Sequence, residues 1–245
     1  MPKIFKVGGC VRDKILGVHT KDIDFTFVLD DLNKSVEDGF AEMTQWLEDQ
    51  EFKIFLSTPD CFTIRAKFPK GHKHEGLVAD FVMARKENGY IPNTRKPILE
   101  LGTIEDDLVR RDFTLNAMAE DEDDNLIDLF GGLEDLKNGI LRTPLDPMIT
   151  MMDDPLRILR ALRFSITKGF TIDLKIFDAM RQPDIIEKLR LTVSQERMRD
   201  EIFKMMKHDT PATLRLLHII DEGEIPGFLD LVFSKGLWLK PTNEQ

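Results

Sequence analysis

Apolar and polar positions change period several times along the first hundred residues. "KIFKV" is a short β-rich run broken by Gly8 and Gly9, and "CVRDKILG" then takes helical spacing up to Gly17. "DIDFTFVL" reads as the second strand. In "SVEDGFAEMTQWLEDQ" the apolar residues Val36, Phe40, Met43 and Leu47 recur at three- and four-residue spacing, which predicts an amphipathic helix. "KIFLS", "CFTIRAKF" and "GLVADFVMAR" follow as strands, the last two joined through "PKGHKHEG". "KENGYIPNTRKPILELG" is polar and proline-bearing, so a long loop is expected.

From "TIEDDLVRRDFTLNAMA" onward the pattern predicts mainly helices. Thr103 and Asp106 have the spacing of a helix-capping pair. "EDEDDN" is read as a solvated turn and not a metal site, and "NLIDLFGGLEDLKNG" ends in a glycine stop. Four further helical segments follow: "DDPLRILRALRFSITKG", "DLKIFDAMRQ", "SQERMRDEIFKMMKHD" and "TPATLRLLHIIDEGE". The expected fold is α+β: a head with a small mixed sheet over residues 1–135, a helical neck over 136–205 and a short helical body over 206–245.

Composition narrows this picture. The chain has 245 residues, 42% of them apolar and 32% charged, as in an ordinary globular protein. No apolar run approaches the roughly 20 residues of a membrane span, and the N-terminal "MPKIFKVGG" has no signal-peptide core, so no membrane partner is expected. Cys10 and Cys61 make neither a disulfide framework nor a metal-ligand spacing, which suits a reducing cytoplasm. The net charge of −10 argues against a general nucleic-acid binder, but residues 1–135 carry −11 and residues 136–205 carry +3. An acidic head followed by a basic helical stretch fits a catalytic unit joined to one that meets a polyanion.

The chemistry concentrates in four stretches. Asp22 and Asp24 are two apart in a strand and project from one face. Two carboxylates that close repel unless a cation sits between them, and Mg²⁺ takes such oxygen ligands together with substrate phosphates. Asp80, in the apolar run "LVADFVMA", is a third carboxylate that a neighbouring strand could bring alongside. A lone DxD pair would favour an edge strand with solvated acids, since such spacing is common. The "VGGCVRD" turn changes the balance: Gly8 and Gly9 let the backbone approach a phosphate, and Arg12 adds a cation one turn later. "RRDFTLNAM" reads as helix, with Asp112 and Asn116 on one face able to bind a ribose 2′-OH, and Arg110 or Arg111 able to grip phosphate. In "DDPLRILRALRF", Arg157, Arg160 and Arg163 recur every three residues against a core face of Leu156, Leu159 and Leu162.

"GGCVRDKILG…KDIDF", "EDDLVRRDFTLNAMA", "DPLRILRALRF" and "QERMRDE" occur in that order. Together they resemble the class II tRNA nucleotidyltransferases, the CCA-adding enzymes and bacterial poly(A) polymerases of the polymerase β-type superfamily. The resemblance covers about residues 3–205. It implies template-free addition of C, C and A to the tRNA 3′ end from CTP and ATP, with two Mg²⁺ ions. Two alternatives are A-only or poly(A) addition and a non-catalytic nucleotide- or RNA-binding role. By position, the resemblance assigns Asp22 and Asp24 to metal and catalysis, and places Asp80 where relatives carry an acid. It assigns Gly8, Gly9 and Arg12 to the triphosphate turn, and Arg111, Asp112 and Asn116 to triphosphate and ribose. Asp154 and Arg157 become the base readers, with Arg160 and Arg163 behind them, and Glu196 and Arg197 brace that helix. The chain is shorter than the family pattern, with only about 40 residues after the neck motif, so the body and tail are expected to be truncated.

Overall fold

The structure, a computed structural model, describes residues 2–20, 23–90 and 97–233, with backbone only at 87–90, 97 and 98. It divides into two compact units, Met1–Leu133 and Glu134–Gln245.

The first unit is built on a seven-stranded mixed sheet. Its strands are β1 (Lys3–Val7), β2 (Asp24–Val28), β3 (Lys53–Thr58), β4 (Thr63–Lys67), β5 (Val78–Met83), β8 (Met118–Glu120) and β9 (Leu126–Asp128), in the order β3-β4-β5-β2-β1-β8-β9. Only β2 and β5 run parallel; the other neighbours are antiparallel. Alternation along the strands separates two faces. Phe25, Phe27, Ala79, Phe81 and Met83 pack on one side against the buried stripe Val36, Phe40, Met43 and Leu47 of helix α2 (Val36–Asp49). Ser35 caps that helix by accepting from the Asp38 amide. On the other side Phe5 and Val7 pack against Leu108 and Ile104 of α3 (Ile104–Val109), which is closed by a complete Thr103–Asp106 capping box. The remaining polar residues of β2 and β5, Asp24, Thr26 and Asp80, lie on this second face.

Two expectations are corrected here. "KENGYIPNTRKPILELG" is not a loop throughout: Arg85–Tyr90 (β6) and Pro97–Leu101 (β7) pair as an antiparallel hairpin, with 91–96 outside the described residues. "RRDFTLNAMA" is not a helix either. After α3 the chain passes through a single 3-10 turn, Thr114–Asn116, into β8. Residues 112–120 are all buried, and a stretch enclosed on every side shows no helical or strand period from which to choose.

The second unit is almost wholly helical: α5 (Pro147–Asp153), α6 (Leu156–Lys168), α7 (Leu174–Met180), α8 (Pro183–Thr192), α9 (Gln195–Ile219) and α10 (Phe228–Phe233). A two-stranded parallel pair, Ile140–Leu141 (β10) with Thr171–Ile172 (β11), completes it, and α4 (Gly132–Asn138) straddles the division. α6 lies along α9, burying Leu156, Ile158, Leu159 and Leu162. α9 is broken at Asp209, whose φ of −151° and ψ of 96° leave the helical region two residues before Pro211. The helix α8 lies between two of the expected segments and was not among them.

His72 and His74, in the β4–β5 connection, pack on Phe68 with ring centroids 4.6 and 5.2 Å away. Burial first, then Lys73 beside His72 and Lys6 and Lys73 beside His74, holds both imidazoles below the ordinary histidine value. The unfolded chain therefore takes up these protons first, so stability is complete above the ordinary value and declines as pH falls through it. The expected result is a melting temperature that drops between about pH 7 and pH 5, with a shallower drop in His74→Phe. Equal slopes in a pH-dependent thermal melt would refute this assignment.

Candidate active site

The site forms where β1 ends. Val7 is the register partner of Asp24, so the glycine turn that follows β1 starts beside the first carboxylate of β2. Gly8 has φ 77°, a conformation that costs a side-chain-bearing residue free energy. A Cβ there would also come within 2.6 Å of the Arg111 Nη1, so the guanidinium lies directly against the turn. α1 (Gly9–Ile15) begins at once, and Arg12, one turn in, is buried.

Two polar chains, one part-buried and one buried, hold the cationic groups in place. In one, Thr26 donates to Asp107 at 2.9 Å, and Asp107 Oδ2 accepts from Arg111 Nη2 at 2.7 Å and Nε at 3.2 Å. In the other, Arg12 Nη1 donates to Asn116 Oδ1 at 2.6 Å, and Asn116 Nδ2 donates to Asp112 Oδ1 at 2.9 Å. Arg12 is also held by Asp13, through Nε at 2.9 Å and Nη2 at 2.8 Å. Asp112 and Asn116 thus meet as the four-residue spacing suggested, but through the 3-10 turn and not along an α-helix. The structure brings Gly8, Gly9, Arg12, Arg111, Asp112 and Asn116 together with Asp24.

Sequence reasoning missed Thr26, Asp107 and Asp13, the residues that aim the arginines. For Asp107 a signal was present: an acid four residues before Arg111 on a helical stretch.

Asp22 lies outside the described residues. Asp80 is opposite Asp24 in the parallel register and on the same face. Its carboxylate is engaged in a two-bond fork, with Arg65 Nε to Oδ1 at 2.7 Å and Arg65 Nη2 to Oδ2 at 2.6 Å. Among the described residues no group of three or more His, Cys, Asp or Glu side chains is gathered for a metal. The donor chemistry at the strand ends is nonetheless that of a hard cation: carboxylate oxygens on neighbouring strands. The Cys10 thiol at the start of α1 bonds the Val7 carbonyl at 3.2 Å; burial pushes its pKa up, and the Asp24 charge adds to that. It is held as a thiol.

A cleft of about 730 Å³ opens on the α2 face of the sheet, lined by Lys6, Phe25, Phe52, His72 and His74. None of the expected site residues borders it. Two of its lysines are paired, Lys6 with Glu120 at 3.3 Å and Lys73 with Asp124 at 3.6 Å.

In the second unit, Asp154 closes α5 and precedes α6. Its Oδ1 accepts from the Leu156 amide at 3.1 Å, and its Oδ2 accepts from Arg197 Nη2 at 3.0 Å. Arg157 Nη1 donates to the Thr150 carbonyl at 3.1 Å. Asp154 and Arg157 therefore share one turn at the head of α6, with Arg197 at the start of α9 fastening the carboxylate. Glu196 is exposed in the same helical turn. The other two arginines diverge. Arg160 lies 5.9 Å from the Phe164 ring, whereas Arg163 stacks on that ring at 4.3 Å and bonds Glu201 at 2.5 Å.

Among the described residues no helix is long and apolar enough to cross a membrane. A family model described as "Poly A polymerase head domain" matches residues 4–142. The mitochondrial CCA tRNA nucleotidyltransferase of Saccharomyces cerevisiae is 35% identical over 214 residues, covering 83% of this chain and 38% of that protein. The chain spans 38–47% of the length of the curated relatives it matches. Among solved structures, a tRNA nucleotidyltransferase complexed with a primer tRNA and an incoming ATP analog superposes with a TM-score of 0.66 at 26% identity, over 95% of this chain and 60% of that one. The Bacillus stearothermophilus CCA-adding enzyme in complex with CTP gives 0.68 at 28% identity, over 92% and 50%. A glycine turn held against Arg111 beside Asp24, within a head-domain match that covers more than half the chain, places this protein in the poly(A) polymerase head-domain family, that of the class II tRNA nucleotidyltransferases.

Proposed function

We propose that this chain forms the catalytic part of a template-independent RNA nucleotidyltransferase that adds C, C and A to the 3′ end of tRNA, consuming CTP and ATP and releasing pyrophosphate. The observation that carries this reading is the meeting of Asp24 with the Gly8 turn, against which Arg111 is held. The relatives named for CCA addition, and the solved structures holding a primer tRNA or CTP, support the substrates. The free thiols of Cys10 and Cys61 suit a reducing compartment, and we keep the cytoplasm as its proposed location.

The residues divide the work. Gly8 and Gly9 let phosphate oxygens reach the backbone, and Arg12 and Arg111 offset their charge. Asp112 and Asn116 present an acceptor and an amide to the ribose hydroxyls, the contact that separates ribonucleotides from deoxyribonucleotides. Asp22 and Asp24 would hold two Mg²⁺ ions. When bound, these lower the pKa of the RNA 3′-OH and stabilise the departing pyrophosphate. No side chain need act as nucleophile.

Base choice belongs to Asp154 and Arg157. Cytosine offers an amino donor beside its N3 acceptor, and adenine offers an amino donor beside N1. A carboxylate next to a guanidinium satisfies both edges. Guanine and uracil place a carbonyl beside an N–H and would leave polar groups unpaired, at about 1–3 kcal/mol each. Arg160 extends the basic surface, and Arg163 belongs to this set only by position.

The deciding experiment supplies each labelled nucleotide singly, with Mg²⁺, to tRNA ending before CCA, after C and after CC. Incorporation of C, then C, then A is expected. A alone on any 3′ end would point to poly(A) addition, and no incorporation to a binding role. Gly8→Ala should raise the KM for CTP and ATP about tenfold, since left-handed strain of about 1–3 kcal/mol is added to the displacement of Arg111. An unchanged KM in a steady-state assay would remove Gly8 from the nucleotide site.

A further inference from the structure

We infer that Arg65 withholds Asp80 from divalent cations and so sets the cation affinity of the site at Asp24. The inference rests on the reading above that a cation is held at Asp24.

Asp80 has two opposite neighbours across the sheet, Asp24 on β2 and Arg65 on β4. All three lie on the face away from α2, because Phe25, Phe81, Ile64 and Ala66 occupy the other. Two unpaired carboxylates on adjacent strands would repel, and a cation between them would relieve that. Here a protein group already supplies the positive charge. The guanidinium takes one oxygen of Asp80 with Nε and the other with Nη2, a planar fork that occupies the edge a chelated ion would need. The guanidinium stays charged throughout the working pH range. A cation must displace it, and that is feasible because the Arg65 side chain is 54% exposed and the pair is partly screened by water.

Two consequences follow. Asp80 contributes little to resting cation binding even though its place in the sheet is that of a third ligand. Arg65 also brings a positive charge to the face where the cation sits, which lowers affinity further.

The test is a titration of the full chain with Mn²⁺ in the absence of nucleotide, followed by loss of the free-ion electron paramagnetic resonance signal. Arg65→Gln is expected to bind Mn²⁺ about tenfold more tightly than the native chain, as for removal of a nearby like charge. Asp80→Asn alone should stay within about twofold of native, and Arg65→Gln/Asp80→Asn should lose most of the gain, because the two side chains act as one unit. Arg65→Lys, which keeps the charge but not the fork, should fall between native and Arg65→Gln. A thermal melt of each variant verifies folding. Arg65→Gln binding equal to or weaker than native, or Asp80→Asn alone weakening binding tenfold, would overturn the inference. Asp24→Asn tests the underlying reading separately: if it leaves Mn²⁺ binding intact, the cation is not at Asp24, whatever Arg65 does.

Discussion

Asp24→Asn is expected to lower nucleotide incorporation by about 10³-fold or more while leaving the melting temperature close to native. Asp24 is exposed at the first position of β2, so its isosteric replacement leaves no cavity. The backbone pairing with Val7 is independent of the side chain and persists. What disappears is one unit of negative charge beside the Gly8 turn, on the face where the cations are proposed to sit. A carboxamide oxygen is a poor substitute for a carboxylate as a ligand to a hard divalent ion. The loss should appear in kcat, with little change in the KM for CTP or ATP, since Arg12 and Arg111 remain to hold the triphosphate. Rapid-quench measurement of the first C addition separates chemistry from product release. A variant that keeps more than about a tenth of native kcat would exclude the two-carboxylate mechanism. The same measurement on Asp80→Asn should show a much smaller loss, because that carboxylate is already paired with Arg65.

The head was legible in the sequence wherever one face of an element is buried and the other is not. α2 shows its stripe of Val36, Phe40, Met43 and Leu47, and those four positions are the buried ones. β2 and β5 alternate cleanly because Phe25, Phe27, Phe81 and Met83 enter the core while Asp24 and Asp80 remain on the other face. The pattern failed where burial is complete. Residues 112–120 are enclosed on all sides, so the run could not be distinguished from a buried helix, and β8 within it went unseen; β9, only three residues long and not buried, has too few positions to show a period. The β6–β7 hairpin was missed for the opposite reason: its glycine and prolines suggest loop, and its pairing carries a register shift between Glu87 and Tyr90.

The site was legible as residue types and spacing but not as partnerships. Asp24 and the Gly8 turn could be placed on adjacent elements, since a strand followed at once by two glycines and a helix has few geometries. That Thr26 and Asp107 aim Arg111, or that Arg65 claims Asp80, depends on strands brought side by side across dozens of residues. Local sequence does not encode that neighbour relation. The three arginines of α6 show the same limit. They look equivalent at three-residue spacing, yet each step turns the side chain by about 60° from the last, and their surroundings differ accordingly.

That divergence gives Arg163→Ala its expected effect, a loss of about 3 kcal/mol in the stability of the helical unit. Glu201 on α9 is only 4% exposed, and Arg163 bonds it from α6 at 2.5 Å. Removing the guanidinium leaves a buried carboxylate with Lys204 at 3.2 Å as a remaining partner, and the Lys204 side chain is itself 58% exposed. Loss of one member of a buried ion pair commonly costs about 3–5 kcal/mol, and the surviving lysine places this case at the low end of that range. The stacking of Arg163 on Phe164 at 4.3 Å is lost as well. Arg163→Ala/Glu201→Ala should recover part of the loss, because the stranded charge is gone; Arg163→Met should recover less, since it restores packing but not the pair. Arg160→Ala, which leaves the Arg163–Glu201 pair intact, should change stability by less than about 1 kcal/mol. Chemical denaturation followed by far-ultraviolet circular dichroism measures all four variants. If Arg163→Ala unfolds at the native denaturant concentration but loses nucleotide binding, then Arg163 contacts the substrate and its role is not to join α6 to α9.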